Sequence, residues 1–240
     1  MKEIISKDNQ QIKIWAKLKQ KKFIEQTNQV LLEGVKLINE AEERGVKFSA
    51  ICTNFYTDEE FDCHVYKLSQ QAFSVLSDTQ NSQGIIAVAN ITKHQFTLPK
   101  GNFLVLDGIN DPGNLGTIIR TAVACGFTEI YTINSVDYRN EKVLRATMGT
   151  VFDCKIMQIK SDELKQLSNF PLICADMSGQ DVFKMEKPKK PFGIVMGNEA
   201  QGTSEETKSL CSLSVSLPME NKVESLNVAV ACGILMYLLK

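Results

Sequence analysis

The sequence of 240 residues predicts an α/β protein in which a mostly parallel sheet, with helices on both faces, follows a smaller N-terminal α/β domain. Strand and helix signals alternate from residue 103 to the end of the chain. The strand at 103–107 is continuously apolar, as expected for a strand that helices cover on both sides. A polar segment with Pro and Gly at 92–101 separates this part from an earlier set of strands and helices. The predicted domains are therefore residues 1–95 and 96–240.

The N-terminal domain is predicted from short alternating signals. They are a basic helix at 12–20, strands at 29–34, 47–53, 63–68 and 84–90, and helices at 35–43 and 69–76. Residues 1–22 contain seven lysines against Glu3 and Asp8, a local excess of 7 − 2 = 5 positive charges. This run is either a solvated helix face or an arm that contacts phosphates.

The C-terminal domain is predicted to contain a parallel sheet with connecting helices. Its strands are expected at 103–107, 129–133, 152–156, 171–175, 192–196 and 213–217, and its helices at 115–125, 140–148, 161–167 and 204–211. An almost wholly apolar helix follows, with Ser225 predicted as its N-cap. At about 14 residues this helix is too short to span a bilayer. It is predicted as a buried core helix, half of a dimer interface, or both.

Composition excludes several kinds of chemistry. Only His64 and His94 occur, and neither is near a candidate site, so a histidine base or a histidine-ligated metal is not expected. Seven cysteines without a Cys-x-x-Cys pair favour reduced thiols over disulfides or a zinc site. The N-terminal segment lacks the pattern of a signal peptide, so a cytoplasmic protein is expected. From the histidine and cysteine content, no metal is expected in the site.

Three loops that follow predicted strands carry the candidate site. In the first, Asp107-Gly-Ile-Asn-Asp-Pro-Gly-Asn114, a helix follows on which Arg120 lies roughly 130° from the centre of the apolar stripe. The second contains Gly197 and Glu199, and Glu199 is predicted either to accept from a ligand hydroxyl or to pair with Arg120. The third ends at Ser225. Because the carboxyl ends of parallel strands share one edge, these loops are expected to meet.

The residues of these loops carry a resemblance to a known family. Asn114-x-Gly-x-Ile-Ile-Arg120, Gly197-Asn-Glu199-x-x-Gly202 and Leu217-Pro-Met-x-x-x-x-x-Ser225-Leu-Asn227-Val-x-Val-Ala resemble the three motifs of the SpoU (TrmH) family in the SPOUT superfamily. That family comprises RNA ribose 2′-O-methyltransferases. The resemblance covers residues 103–240, and the first ninety residues resemble, more loosely, the family's RNA-binding domain that is similar to certain ribosomal proteins.

The resemblance implies a knotted fold, a homodimer packed through the knot region, and S-adenosylmethionine as the cofactor. It implies Arg120 as the catalytic arginine, with Asn114, Glu199, Ser225 and Asn227 as the other polar residues of the site. The cofactor would be held around Gly197, Leu217, Met219 and Leu226, and an active site that combines both subunits is expected. The substrate is expected to be 23S-type ribosomal RNA.

Two departures and several alternatives accompany the resemblance. Asn221 replaces a glycine of the third motif, and Phe23-Ile-Glu-Gln stands where many relatives have a basic residue. Transfer RNA as the substrate and a non-catalytic RNA-binding or ribosome-assembly factor remain alternatives. A dinucleotide-dependent dehydrogenase is disfavoured, since no Gly-x-Gly-x-x-Gly follows a strand.

Overall fold

A computed structural model describes residues 1–57, 60–220 and 225–240 of the chain. These residues fall into two compact units. The N-terminal unit consists of Met1–Lys93 with Arg139–Phe152, and the C-terminal unit of His94–Tyr138 with Asp153–Lys240. Within the described ranges no helix is both long and apolar enough to cross a membrane. Asn221, at which the third motif departs from the family pattern, lies outside the described residues.

The chain contributes eleven strands and nine α-helices from its described residues. The strands are β1 (Lys2–Ile4), β2 (Gln29–Glu33), β3 (Phe48–Thr53), β4 (His64–Leu68), β5 (Ile85–Asn90), β6 (Phe103–Asp107), β7 (Glu129–Ile133), β8 (Lys155–Gln158), β9 (Leu172–Asp181), β10 (Gly193–Met196) and β11 (Leu213–Ser216). The helices are α1 (Gln10–Ala16), α2 (Lys21–Thr27), α3 (Val35–Glu43), α4 (Gln70–Leu76), α5 (Pro112–Cys125), α6 (Glu141–Thr147), α7 (Ser161–Leu167), α8 (Glu205–Ser209) and α9 (Val228–Leu239).

The N-terminal unit is built on a five-stranded sheet in the order β1-β4-β3-β5-β2. β1, β4 and β3 run parallel, and β5 pairs antiparallel with both β3 and β2. Trp15 and Phe73 are buried in the core on one face. The helix predicted at 35–43 is confirmed as α3, whereas β1 and α2 were not predicted. β1 has three residues, of which Lys2 and Glu3 are exposed, so it carries almost no apolar periodicity.

Helix α6 packs with the N-terminal unit although its sequence lies between β7 and β8. Val143 and Leu144 are fully buried there. Arg145 lies 3.2 Å from a carboxylate oxygen of Asp78 and 4.0 Å from one of Glu33. The boundary between residues 95 and 96 remains a prediction. Sequence order alone did not indicate that Arg139–Phe152 belongs to the N-terminal unit.

The C-terminal unit contains a six-stranded sheet in the order β11-β9-β10-β6-β7-β8, and all its pairings are parallel. This arrangement, with helices between the strands, confirms the predicted fold class. The strand expected at 152–156 begins later, at Lys155, because residues 150–153 form a 3₁₀ turn. Helix α5 begins earlier than predicted, at Pro112, since Asp111 accepts from the backbone N–H of Asn114 and caps it.

The closing helix α9 begins at Val228 and not at Ser225. The side chain of Asn227 accepts from the backbone N–H groups of Ala229 and Val230, so Asn227 is the N-cap and the predicted cap at Ser225 was wrong. Ser225 lies two residues further out and is exposed. The apolar helix is mostly buried, but Val230 and Tyr237 are half exposed along one stripe.

Candidate active site

Side chains of the three predicted loops meet at the carboxyl edge of the parallel sheet. Asn114, in the first turn of α5, donates from Nδ2 to Oε1 of Glu199 at 2.5 Å. Asn227, the cap of α9, donates from Nδ2 to Oδ1 of Asn114 at 2.9 Å. Asn114 therefore uses both ends of its amide to connect the loop after β10 with the start of α9. The expectation that these loops gather is confirmed.

Asn198 fixes the backbone of the loop after β10. Its Nδ2 donates to the carbonyl of Gly108 at 2.8 Å, while its Oδ1 accepts from the backbone N–H groups of Ala200 and Gln201. Gly108 has φ +75°, a conformation that favours glycine. The side chain of Asn198 thus joins the loop after β6 to the loop after β10. Sequence reasoning overlooked it, although its place between Gly197 and Glu199 was a usable signal.

A buried carboxylate positions the start of α8. Asp107, at the end of β6, is 4% exposed and accepts from the backbone N–H and the hydroxyl of Ser204 at 3.0 and 2.5 Å. A buried carboxylate is tolerated only when hydrogen bonds replace its water. From the sequence, Asp107 was placed at the end of its strand and the start of the first loop, without a role of its own. A charged residue that ends a wholly apolar strand was the signal for this role.

A cavity of about 490 Å³ lies beside the hydrogen-bonded loops. Gly197, Leu217, Met219 and Leu226, the four residues predicted around the cofactor, all line it. Glu199 and Ser225 line it as well. Small-molecule sites typically have volumes of about 300–1,000 Å³ with mostly apolar walls and a few polar groups, and this cavity has that character.

The backbone around Gly197 leaves no room for a side chain. A Cβ placed there would lie 2.1 Å from the backbone nitrogen of Thr203 and 2.3 Å from the carbonyl carbon of Gly202. The loop closes on itself, since Asn198 and Gly202 exchange two backbone hydrogen bonds of 2.9 and 2.8 Å. Backbone groups thus form one wall of the cavity, and its mixture of backbone polar groups and apolar side chains fits S-adenosylmethionine, which joins a nucleoside to a charged sulfonium amino acid.

Asp176 lies in the cavity wall as one half of an ion pair. Lys208 donates to its Oδ2, and Ser178 donates to its Oδ1 from both the backbone and the hydroxyl. The ammonium of Lys208, followed by the Ser178 donors, lowers the pKa of Asp176 to about 2. The carboxylate is therefore ionised and paired with the Lys208 ammonium in the cavity wall. This residue was not identified from the sequence, because its partner Lys208 is remote along the chain.

Arg120 lies apart from the cavity, exposed on α5. Within this chain Glu199 accepts from Asn114, and the alternative in which it pairs with Arg120 is not seen among the described residues. Arg120 is six residues beyond Asn114, which places it roughly 240° around the helix and about 9 Å along it. No described residue forms an ion pair with Arg120. Its exposure confirms that it points away from the buried face of α5.

An apolar groove runs between α5 and α9. Its volume is about 500 Å³, and its lining includes Thr117, Thr121, Val230, Ile234 and Tyr237. Ile234 and Tyr237 are 37% and 54% exposed. Arg120 belongs to the same exposed side of α5 as Thr117 and Thr121. A partner that covered this groove would therefore lie next to the arginine.

Comparison with known proteins identifies the family. The sequence profile of the SpoU rRNA Methylase family matches residues 101–237, and that of the MRM3-like substrate binding domain matches residues 9–87. The chain belongs to the SpoU rRNA methylase family. This SpoU methylase is 33% identical to a Bacillus subtilis (strain 168) protein named 23S rRNA (guanosine(2553)-2'-O)-methyltransferase RlmP. The alignment has 249 positions, gaps included, and covers 100% of both chains.

Solved structures show the same fold over nearly the whole chain. An AdoMet-bound rRNA methyltransferase from Sinorhizobium meliloti superposes with a TM-score of 0.88 at 26% identity, covering 99% of this SpoU methylase and 96% of that chain. A putative RNA methyltransferase of the TrmH family from Porphyromonas gingivalis superposes with a TM-score of 0.84 at 27% identity, covering 96% of both chains. The family's predicted cofactor, S-adenosylmethionine, is confirmed.

Proposed function

We propose that this protein transfers a methyl group from S-adenosylmethionine to a ribose 2′-hydroxyl of 23S-type ribosomal RNA. The observation that carries the proposal is the chain of hydrogen bonds from Asn227 through Asn114 to Glu199, which joins all three family motifs beside the cavity. A binding protein would have no need to keep three remote polar side chains in one hydrogen-bonded arrangement next to a pocket for a small molecule.

The cavity residues act by binding and orienting the reactants. When bound, S-adenosylmethionine would supply the methyl group from its sulfonium and leave as S-adenosylhomocysteine, while the 2′-hydroxyl gives its proton to water. Gly197, Leu217, Met219 and Leu226 would hold the cofactor. Glu199 and Ser225, on the cavity wall, orient the incoming ribose. Such positioning contributes up to about 7–11 kcal/mol in well-aligned reactions.

Arg120 completes the site from a second subunit. Arginine stays protonated, so its role is to hold the phosphate next to the target ribose and to stabilise the developing negative charge on the 2′-oxygen. Within one subunit Arg120 lies outside the cavity, while the apolar groove beside it is open. A homodimer that packs the half-exposed stripe of α9 into this groove would bring a second subunit next to Arg120. The resemblance also implies that the C-terminal segment, which contains the closing helix, forms the knot, and we include this in the proposal.

The full-length likeness favours ribosomal RNA as the substrate. The Bacillus subtilis relative, named for 23S rRNA, covers all of this chain. A solved structure described as an Aquifex aeolicus tRNA-modifying enzyme of the TrmH/SpoU type covers only 59% of this chain. Residues 1–95 are therefore proposed as the RNA-binding domain and 96–240 as the methyltransferase domain, in a cytoplasmic enzyme.

Transfer of labelled methyl from S-adenosylmethionine to unmodified ribosomal and transfer RNA, followed by nucleoside mass spectrometry, tests the proposal. A 2′-O-methyl nucleoside in 23S ribosomal RNA is expected. Label in transfer RNA alone would replace the proposed substrate. A protein that binds no S-adenosylmethionine and transfers no label would instead be a non-catalytic RNA-binding factor.

Arg120→Ala tests the catalytic assignment within the same assay. Loss of one charge-stabilising group typically lowers the rate by about 10²–10³-fold. The variant should lose turnover by this amount and bind S-adenosylmethionine as tightly as the wild type. Lys165→Ala, which removes a positive charge elsewhere on the C-terminal unit, is the matched control. Unchanged turnover of Arg120→Ala would exclude the role given to the arginine.

A further inference from the structure

A second concave site opens at the opposite edge of the parallel sheet, where β6 and β10 begin. This lysine cavity has a volume of about 400 Å³ and is lined by Lys100, Gly101, Asn102, Cys125, Gly126, Phe127, Lys190, Pro191 and Lys240. Four separate stretches of the chain contribute to it: those before β6, after α5, before β10 and after α9. Neither the candidate active site nor the apolar groove includes any of its residues.

The charged side chains that line the lysine cavity are all positive. Its lining holds three lysines and no carboxylate side chain. The carboxylate of Glu129 does not line the cavity but lies close to it, since it accepts from the backbone N–H groups of two lining residues, Lys100 and Gly101, at 2.7 and 3.2 Å. Lys187, which does not line the cavity, donates to the backbone oxygen of Lys240 at 3.1 Å.

None of the three lining lysines forms an ion pair with a described residue. Lys240 instead places its Nζ 4.2 Å from the ring centroid of Tyr237. Other lysines of the same unit are neutralised, for example Lys165 by Asp162 at 3.6 Å and Lys184 by Asp181 at 3.2 Å. Like charges gathered around one cavity repel each other, and an anion bound between them would remove this cost.

We propose that the lysine cavity binds the phosphate backbone of the RNA substrate, away from the target nucleotide. Lysine is a point charge on a flexible stem, suited to phosphates whose exact orientation varies, and it reads no base. Three ammonium groups match two or three consecutive phosphodiesters, each with one negative charge. The site lies at the edge opposite the cofactor cavity, so a long structured RNA is needed to reach both. This inference rests on the proposed function.

The experiment compares two double variants that carry the same change in charge. Lys190→Gln with Lys240→Gln removes two lysines of the cavity, whereas Lys165→Gln with Lys189→Gln removes two exposed lysines outside it. The Kd for unmodified 23S ribosomal RNA and the KM and kcat for methyl transfer are measured between 50 and 300 mM salt. The Kd for S-adenosylmethionine and thermal unfolding report on the integrity of each protein.

For the cavity variant we expect the slope of log K against log salt to become shallower by about 2, since each lost phosphate contact changes it by about 0.9. Its KM for RNA should rise at least tenfold, with kcat and the cofactor Kd unchanged. The control variant should differ from the wild type by less than threefold. Equal effects in both variants, or none in the cavity variant, would overturn the inference. A wild type that neither binds nor methylates RNA would overturn the proposed function with it.

Discussion

Replacing Gly197 by Ala is the sharpest test of how the cofactor cavity is built. The new Cβ would meet three backbone atoms, the nitrogen of Thr203 at 2.1 Å and the carbon and oxygen of Gly202 at 2.3 and 2.6 Å. Backbone cannot rotate aside as a flexible side chain does. The loop between Gly197 and Thr203 must therefore open, and the two backbone hydrogen bonds between Asn198 and Gly202 are the first to break.

The expected loss follows from those two bonds. Each backbone hydrogen bond contributes about 0.5–1.5 kcal/mol, so opening the loop costs about 1–3 kcal/mol. If the cofactor binds only the closed loop, its Kd rises by the same free energy, which is about 5- to 150-fold. Isothermal titration calorimetry with S-adenosylmethionine measures this change directly, and thermal unfolding measures the stability of the variant.

A matched substitution separates the clash from a general effect of alanine. At Gly101 a Cβ would have nothing within 4 Å, so Gly101→Ala should leave the cofactor Kd unchanged. If Gly197→Ala bound S-adenosylmethionine within twofold of the wild type, the backbone wall around Gly197 could not be the binding surface. The cofactor would then have to lie elsewhere.

Two further predictions concern stability. Asn227→Ala removes the cap of α9 and should lower the free energy of unfolding by about 1–2 kcal/mol in urea titrations, whereas Ser225→Ala should change it by less than about 0.5 kcal/mol. An equal cost for both would contradict the cap assignment. Burial raises the pKa of Glu141 from 4.5 to about 7, assisted by Asp78 and Glu33 and opposed by Lys19 and Arg145. Since the folded state then binds more protons than the unfolded state between about pH 4.5 and 7, stability should fall as pH rises through this window. Glu141→Gln should lose that dependence in urea titrations at pH 5 and 8, and a variant with the wild-type pH profile would refute it.

The sequence by itself determined most of the elements. Apolar runs and periodic patterns located strands such as β6 and β7 and helices such as α3 and α7 at their observed bounds. These patterns are informative because the buried face of a strand or helix is formed by apolar residues that recur along the sequence with a period of 2 or 3.6 residues. Within each of the three motifs, the residues lie close together along the chain. The family resemblance and the candidate residues could therefore be recognised without a structure.

Local patterns were less reliable where two nearby residues competed for one role. Ser225 and Asn227 are both good N-caps, and only the folded loop shows that Asn227 accepts from the first turn of α9. Likewise, Glu199 was predicted to accept from a ligand hydroxyl or to pair with Arg120, and in the folded chain the rotation of α5 brings Asn114 to it. In both cases the choice depended on the direction of a side chain, which periodicity does not specify.

Only the tertiary structure decided the partners that are remote along the chain. The Asn114–Glu199 and Asn114–Asn227 bonds join residues 85 and 113 positions apart, and Asp107 reaches Ser204 across 97 positions. The lysine cavity gathers four stretches that share no sequence pattern. Such contacts arise because parallel strands bring their ends to common edges regardless of separation, and the sheet order β11-β9-β10-β6-β7-β8 sets which ends become neighbours.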